Sequence, residues 1–286
     1  MIVSFAVLCG LISMIGLGLS GALSREPVRR FGSDRSLLWR GVATTALQIP
    51  LLVFFFPDDL SWYGVALAFL VGIIGYLPIY FFFRAMEHGK MGVVSPISKA
   101  SSVITALLAM TVLGESFGMW KWAGAILVLV GVVMLSADFR DWKKPALTGS
   151  RSSIFFALLA CFGWGVVMFS FRYPILLIGP IATSFIVELS IPIVAALRLR
   201  TERKPLSIPK GNGKVFFLIG LASVIGGVAY DFGLSTHEVG LVAMLNMANP
   251  LVVAAYGRIV FKEKLLVRQF LGMILVIIGA TTVVAL

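Results

Sequence analysis

Lys99 stands about two turns inside Gly92–Leu113, a stretch with no other charged residue. A charge at that depth in a bilayer costs at least about 2.5–3.5 kcal/mol on insertion scales. Ser95 and Ser102 share its helical face. A lysine flanked by hydroxyls can bind a carboxylate or phosphate, or release a proton when a substrate arrives. The same stem also lets the ammonium snorkel to the headgroups, so both positions stay open. Glu188 lies in the middle of Pro180–Leu197, between Val187 and Leu189. Its carboxylate is too short to snorkel far, and buried carboxyls take up a proton unless paired. Glu188 is therefore either a proton-coupling group or the partner of a basic residue. Asp231 is a second coupling candidate, although its place near the end of its stretch suits the interface better. Asn246 and Asn249 share a face directly before Pro250, which frees a backbone carbonyl one turn earlier.

No enzyme chemistry is apparent. His88 and His237 fall in separate loops, and no paired acids or His-Glu metal spacing occurs. Cys9 and Cys161 both sit in apolar runs, which supports neither a disulfide nor a metal centre. No catalytic residue, metal or cofactor is expected.

The elements that position these residues follow from composition. Of 286 residues, 59% are hydrophobic and 13% charged, against about a quarter charged in soluble domains. The mean hydropathy is +1.00. The apolar residues form runs long enough for membrane helices and too long for barrel strands. The expected fold is all-α and polytopic, with ten transmembrane helices near Met1–Leu23, Ser36–Phe56, Ser61–Phe83, Gly92–Leu113, Met119–Ala137, Ser152–Phe171, Pro180–Leu197, Lys214–Leu234, Gly240–Phe261 and Leu266–Leu286. Met1–Ser24 reads as the first span and not as a signal peptide, because no Lys or Arg precedes its apolar run.

The net charge of +11 comes from short loops between spans 1–2, 3–4, 5–6, 7–8 and 9–10, including Arg25, Arg29, Arg30, Arg140, Lys143, Lys144, Arg198, Arg203, Lys204, Lys262 and Lys264. The other side holds little beyond Lys121 and Arg172, with the acidic Asp58–Asp59 turn. The positive-inside rule then predicts both termini on the outer face of the cell (inner) membrane. It also explains the basic residues without nucleic acid. Arg40 is shallow enough to suit headgroup contact.

Shifting the chain by 148 residues superposes Gly92–Gly131 on Gly240–Gly279 without a gap, with 11 of 40 positions identical. The pairs Gly92/Gly240, Glu115/Glu263, Gly124/Gly272 and Gly131/Gly279 carry the match. The same offset sets Glu188 against Arg40, and Asn246 and Asn249 against Ser98 and Ser101. Each copy holds five spans, an odd number, so the second is inverted, as in many secondary transporters. The expected division is 1–137 for the first repeat, 138–151 for a cytoplasmic loop and 152–286 for the second repeat. Glu115 and Glu263 are expected to order the next helix by capping its N-terminus. The paired glycines of spans 5 and 10 are expected to serve helix packing.

These features resemble the drug/metabolite transporter superfamily, and within it the EamA-type ten-helix transporters. Tyr80–Ser136 is similar to one EamA repeat in Ala85, Gly92, Val94–Ser95–Pro96, Leu113–Gly114–Glu115, Trp122, Gly124 and Gly131. The second copy runs from Tyr230 through Gly240, Asn249–Pro250, Lys262–Glu263, Gly272 and Gly279. Over the first two spans of each half only Trp164–Gly165 is similar to the family pattern. The resemblance implies a secondary transporter that moves a small organic metabolite outward by alternating access, and the cation of Lys99 tilts that solute toward one bearing a carboxylate or phosphate, such as an amino acid. The resemblance also implies a cavity lined by spans 1, 3, 4, 6, 8 and 9, which favours Tyr76, Tyr80, Trp164 and Tyr230 as substrate-binding residues beside Lys99, Ser102, Asn246 and Asn249, whose own positions in the spans suggest that role. Partners would be the solute and the bilayer, with the protein a monomer or homodimer. Rival readings are a translocase of lipid-linked or hydrophobic cationic substrates, a membrane-embedded enzyme, or an interaction subunit. Family members are often drawn with cytoplasmic termini, the reverse of the loop charges here.

Overall fold

A backbone in hydrocarbon can bond only within the protein, and the described residues form helices with no strand among them. The computed structural model describes residues 4–57, 60–88, 91–116, 118–136, 149–208, 210–260 and 267–285. Asp58–Asp59, Arg140, Lys143, Lys144, Lys262, Glu263 and Lys264 lie outside the described residues. The helices are α1 (Phe5–Phe31), α2 (Ser33–Phe54), α3 (Trp62–His88), α4 (Met91–Lys99), α5 (Ser101–Leu113), α6 (Met119–Ser136), α7 (Gly149–Ser170), α8 (Arg172–Thr201), α9 (Gly213–Leu234), α10 (Val239–Asn246), α11 (Pro250–Val260) and α12 (Val267–Ala285). Seven helical stretches are long and apolar enough to cross a membrane, and Ile97–Leu113, Met119–Met134 and Phe270–Thr282 are shorter apolar helices. Together they make a polytopic ten-pass bundle.

Two expected spans are not continuous. The fourth divides into α4 and α5, and the ninth into α10 and α11. Other boundaries move for local reasons. α1 continues eight residues beyond Leu23, through Pro27, until Gly32 ends it at φ +82°. Gly179, at φ +79°, kinks α8, and Pro180 restarts it where the span was expected to begin. Phe54, Trp62 and Trp120 are exposed at one end of the bundle, as an interfacial aromatic belt requires.

Helix contacts come in matched pairs once α1 is equated with α7, α2 with α8, and so on to α6 with α12. α1 packs on α9 as α7 packs on α3, and α1 meets α10 as α7 meets α4. Likewise α5 meets α7 as α11 meets α1, and α3 meets α8 as α9 meets α2. The contacts α2–α8 and α6–α12 are their own images, so both lie on the pseudo-two-fold axis. The opening helix of each repeat is therefore packed into the other repeat.

The α6–α12 seam uses the paired glycines within the chain. A Cβ on Gly131 would lie 2.7 Å from the Gly272 carbonyl oxygen, and one on Gly279 would lie 2.6 Å from that of Gly124. These two contacts exchange under the 148-residue offset. Without a hydrophobic drive between helices in lipid, such close backbone approach supplies the association energy. Substituting Gly131 or Gly279 by Val should lower stability by about 1–3 kcal/mol, the usual cost of overpacking. Gly118→Ala, where a Cβ meets nothing within 4 Å, should not. Thermal unfolding in detergent measures all three.

Candidate functional site: a central cavity at two broken helices

The two helix breaks occupy equivalent repeat positions. α4 ends at Lys99 and α5 begins at Ser101, while α10 ends at Asn246 and α11 begins at Pro250. Pro250 cannot donate a backbone hydrogen bond, which explains the second break. The first has Ser102 at the corresponding point. Each break is gripped by a glycine from the other repeat. A Cβ on Gly18 would sit 2.9 Å from the Asn249 carbonyl oxygen, and one on Gly165 would sit 3.1 Å from that of Ser101. Broken helices inside a bundle leave backbone polar groups facing a cavity, a recurrent device in membrane carriers.

A cavity of about 140 Å³ lies at these breaks, lined from every helix except α6 and α12. Its wall includes Lys99, Ser102, Trp164, Tyr230, Asn246 and Asn249, together with Glu188 and Asp231. The Lys99 ammonium lies over the Trp164 ring, 5.0 Å from its centroid, a cation–π contact. Lys99 has no ion-pair partner among the described residues. Ser95, Ser101 and Ser102 stand on the same wall. The Asn249 amide points toward the Asn246 side-chain oxygen at 3.4 Å.

Four expectations are corrected. Tyr76 and Tyr80 do not line the cavity. Tyr76 donates to Asp34 Oδ1 at 2.6 Å, and Tyr80 stacks on Tyr76. The Arg198 guanidinium lies over the Tyr80 ring at 4.1 Å, donates to its hydroxyl and pairs with Asp34 at 3.2 Å. Both rings are thus captured by a charged cluster at the basic end of the bundle.

Arg40 does not reach the headgroups. It is 6% exposed and donates through both terminal nitrogens to the two Glu188 oxygens, at 3.1 and 2.9 Å. α2 and α8 approach closely here: a Cβ on Gly41 would stand 2.6 Å from Pro192 Cδ, so the Arg40 stem turns inward. Asp231 is not interfacial; it is 4% exposed and lies on the cavity wall. Among the described residues Glu115 caps no amide of the helix that follows it. Its carboxylate accepts from the Val239 and Gly240 amides, at 2.9 and 3.0 Å, and so caps α10 of the other repeat.

The sequence reading did not identify Asp34 or Arg198 as partners in these networks. For Arg40 the signal was the repeat offset itself, since a residue on the axis faces its own counterpart. Removing one member of a buried pair leaves an uncompensated charge and costs about 3–5 kcal/mol. Glu188→Gln should therefore lower the melting temperature in detergent sharply. The double variant Arg40→Met, Glu188→Met should recover most of that loss, because both buried charges leave together.

The chain matches the EamA-like transporter family twice, over residues 4–137 and 151–285. A protein of Archaeoglobus fulgidus named as an uncharacterized transporter is 20% identical over 277 residues, covering 96% of this chain and 95% of that one. The uncharacterized transporter YdeK of Bacillus subtilis is 29% identical over 138 residues, 47% of each chain. A solved crystal structure shares the fold at a TM-score of 0.80 with 17% identity, over 99% of this chain and 98% of its own. The chain belongs to the EamA-like transporter family, whose two matches fall on the two repeats that enclose the cavity.

Proposed function

We propose that this membrane transporter is a secondary carrier for a small organic solute bearing a carboxylate or phosphate. The observation that carries this reading is the cation of Lys99, on the wall of a cavity between two broken helices, with no counter-ion among the described residues. Ser101 and Ser102 open α5 beside it, so an anion there meets an ammonium, hydroxyls and the positive end of a helix together. Trp164 and Tyr230 suit the apolar body of an organic solute, and Asn246 and Asn249 its remaining polar groups.

Two ties between the repeats support alternating access. Glu115 holds α10 across the repeats at one end, and Asp34 holds Arg198 across them at the other. Releasing one tie while keeping the other opens the cavity to one side at a time. The basic loops argue that the Arg198 end faces the cytoplasm. The family resemblance supports outward movement of the solute.

The test is thermal unfolding of purified protein against a metabolite panel, for the wild type and Lys99→Met. A ligand of the folded state should raise stability by about 2.7 kcal/mol at a hundredfold excess over its Kd. One class of carboxylate or phosphate metabolites should do so for the wild type and fail for Lys99→Met. An undiminished shift in the variant would remove Lys99 from the site. Stabilisation by lipids or hydrophobic amines alone would replace the reading.

A further inference from the structure

A second cavity, of about 390 Å³, opens at the basic end of the bundle, where α1 gives way to α2 at Gly32 and where α3 and α8 come to an end. Its wall carries four cations, Arg29, Arg35, Arg84 and Lys204, against two carboxylates, Asp34 and Glu87. Both repeats contribute. Arg29, Arg35 and Arg84 sit on α1, α2 and α3, and Lys204 follows α8. Basic residues at this end are expected from topology alone. What sets these four apart is the hollow they enclose and the state of the acids beside them.

Both carboxylates are already engaged. Glu87 Oε1 accepts from the Ser33 amide and hydroxyl, and its Oε2 accepts from Arg84 at 2.7 Å. Asp34 Oδ1 accepts from Tyr76 at 2.6 Å and pairs with Arg198 at 3.2 Å. Two further acids lie near without lining the space: Glu202 holds Lys204 and Arg198, and Glu26 of α1 is exposed. The other arginines at these helix ends, Arg25, Arg30, Arg200 and Arg203, have the same sign as the wall. Arg35 gains no carboxylate among the described residues; its guanidinium donates to the Ser207 carbonyl and hydroxyl, both neutral. Arg84 Nε is buried and has no acceptor among the described residues. A buried donor left unmade is costly, and an acceptor entering the adjoining space would relieve it.

We propose that this cavity binds a phosphate group, carried by an anionic lipid headgroup or free in solution, among Arg35, Arg84 and Lys204. Guanidinium forks match phosphate oxygens in pairs, and a phosphate has oxygens enough for several cations at once. The cavity lies where helices end, at headgroup level, and basic pockets between membrane helices suit such groups. A phosphate held there joins three helices of the first repeat to the end of α8 in the second, beside the Asp34–Arg198 tie. The site shares no wall residue with the central cavity and stands without the carrier reading.

Thermal unfolding of the whole protein in a neutral detergent, at constant pH and ionic strength, tests the site with two probes. Inorganic phosphate is compared with chloride, and dispersed phosphatidylglycerol with phosphatidylcholine. A stabilising shift with inorganic phosphate marks a site open to the free ion, and one with phosphatidylglycerol alone marks a headgroup site. Arg35→Gln and Arg84→Gln should each weaken the binding about tenfold or more, the worth of one charge-assisted hydrogen bond. Lys204→Gln, at a side chain 57% exposed, should weaken it too and decides the matter if the arginine variants do not fold. Lys99→Met should leave the shift unchanged, which separates this site from the central one. No shift beyond chloride and phosphatidylcholine, a shift that every folded variant of the three retains, or one that Lys99→Met removes would overturn the proposal.

Discussion

Charge in a bilayer is costly unless it finds a partner inside the protein, and three such partnerships here join the two repeats. Arg40 of the first answers Glu188 of the second, Asp34 answers Arg198, and Glu115 caps α10. A buried ion pair is weak evidence for stability, because desolvation offsets most of the attraction. Removing one side is another matter, since water cannot take over. The repeats therefore act as each other's solvent for their charged groups, and the interleaving of α1 and α7 makes that exchange possible. The bundle is one folding unit built from two similar sequences.

The same interleaving shapes the cavity. Gly18 on α1 and Gly165 on α7 lie against the break in the fourth helix of the opposite repeat. Residues at both breaks line a space walled by hydroxyls, amides and aromatic rings. α6 and α12 take no part in that wall. Their glycine seam closes the bundle on one side, leaving α2 and α8, on the same axis, to carry the ion pair.

Helical periodicity, loop punctuation and the 148-residue offset made the membrane class, the ten passes and the duplication legible. Residues on the axis were legible in part: the offset set Glu188 opposite Arg40, yet the depth of Arg40 was misjudged because α2 starts three residues earlier than its apolar run. The breaks were harder. Pro250 marks the second, but its counterpart is Ser102, with nothing in the sequence to stop a helix at Lys99. Tyr76 and Tyr80 have the spacing of cavity residues, and only tertiary placement of Asp34 and Arg198 draws their hydroxyls away. Glu115 shows the same limit: a carboxylate after a helix looks local in sequence, while its acceptor geometry is met by amides more than a hundred residues on.

The axial position of the Arg40–Glu188 pair also sets a problem for biogenesis. The two residues are 148 apart in sequence, so at roughly 5–20 residues per second a ribosome delivers Glu188 some 7–30 s after Arg40. During that interval a guanidinium must wait at the edge of an inserting helix with no carboxylate to receive it. α2 therefore has reason to remain near the water boundary, or beside the insertion machinery, until α8 emerges. Docking of Glu188 then becomes a late step of assembly that signals arrival of the second repeat.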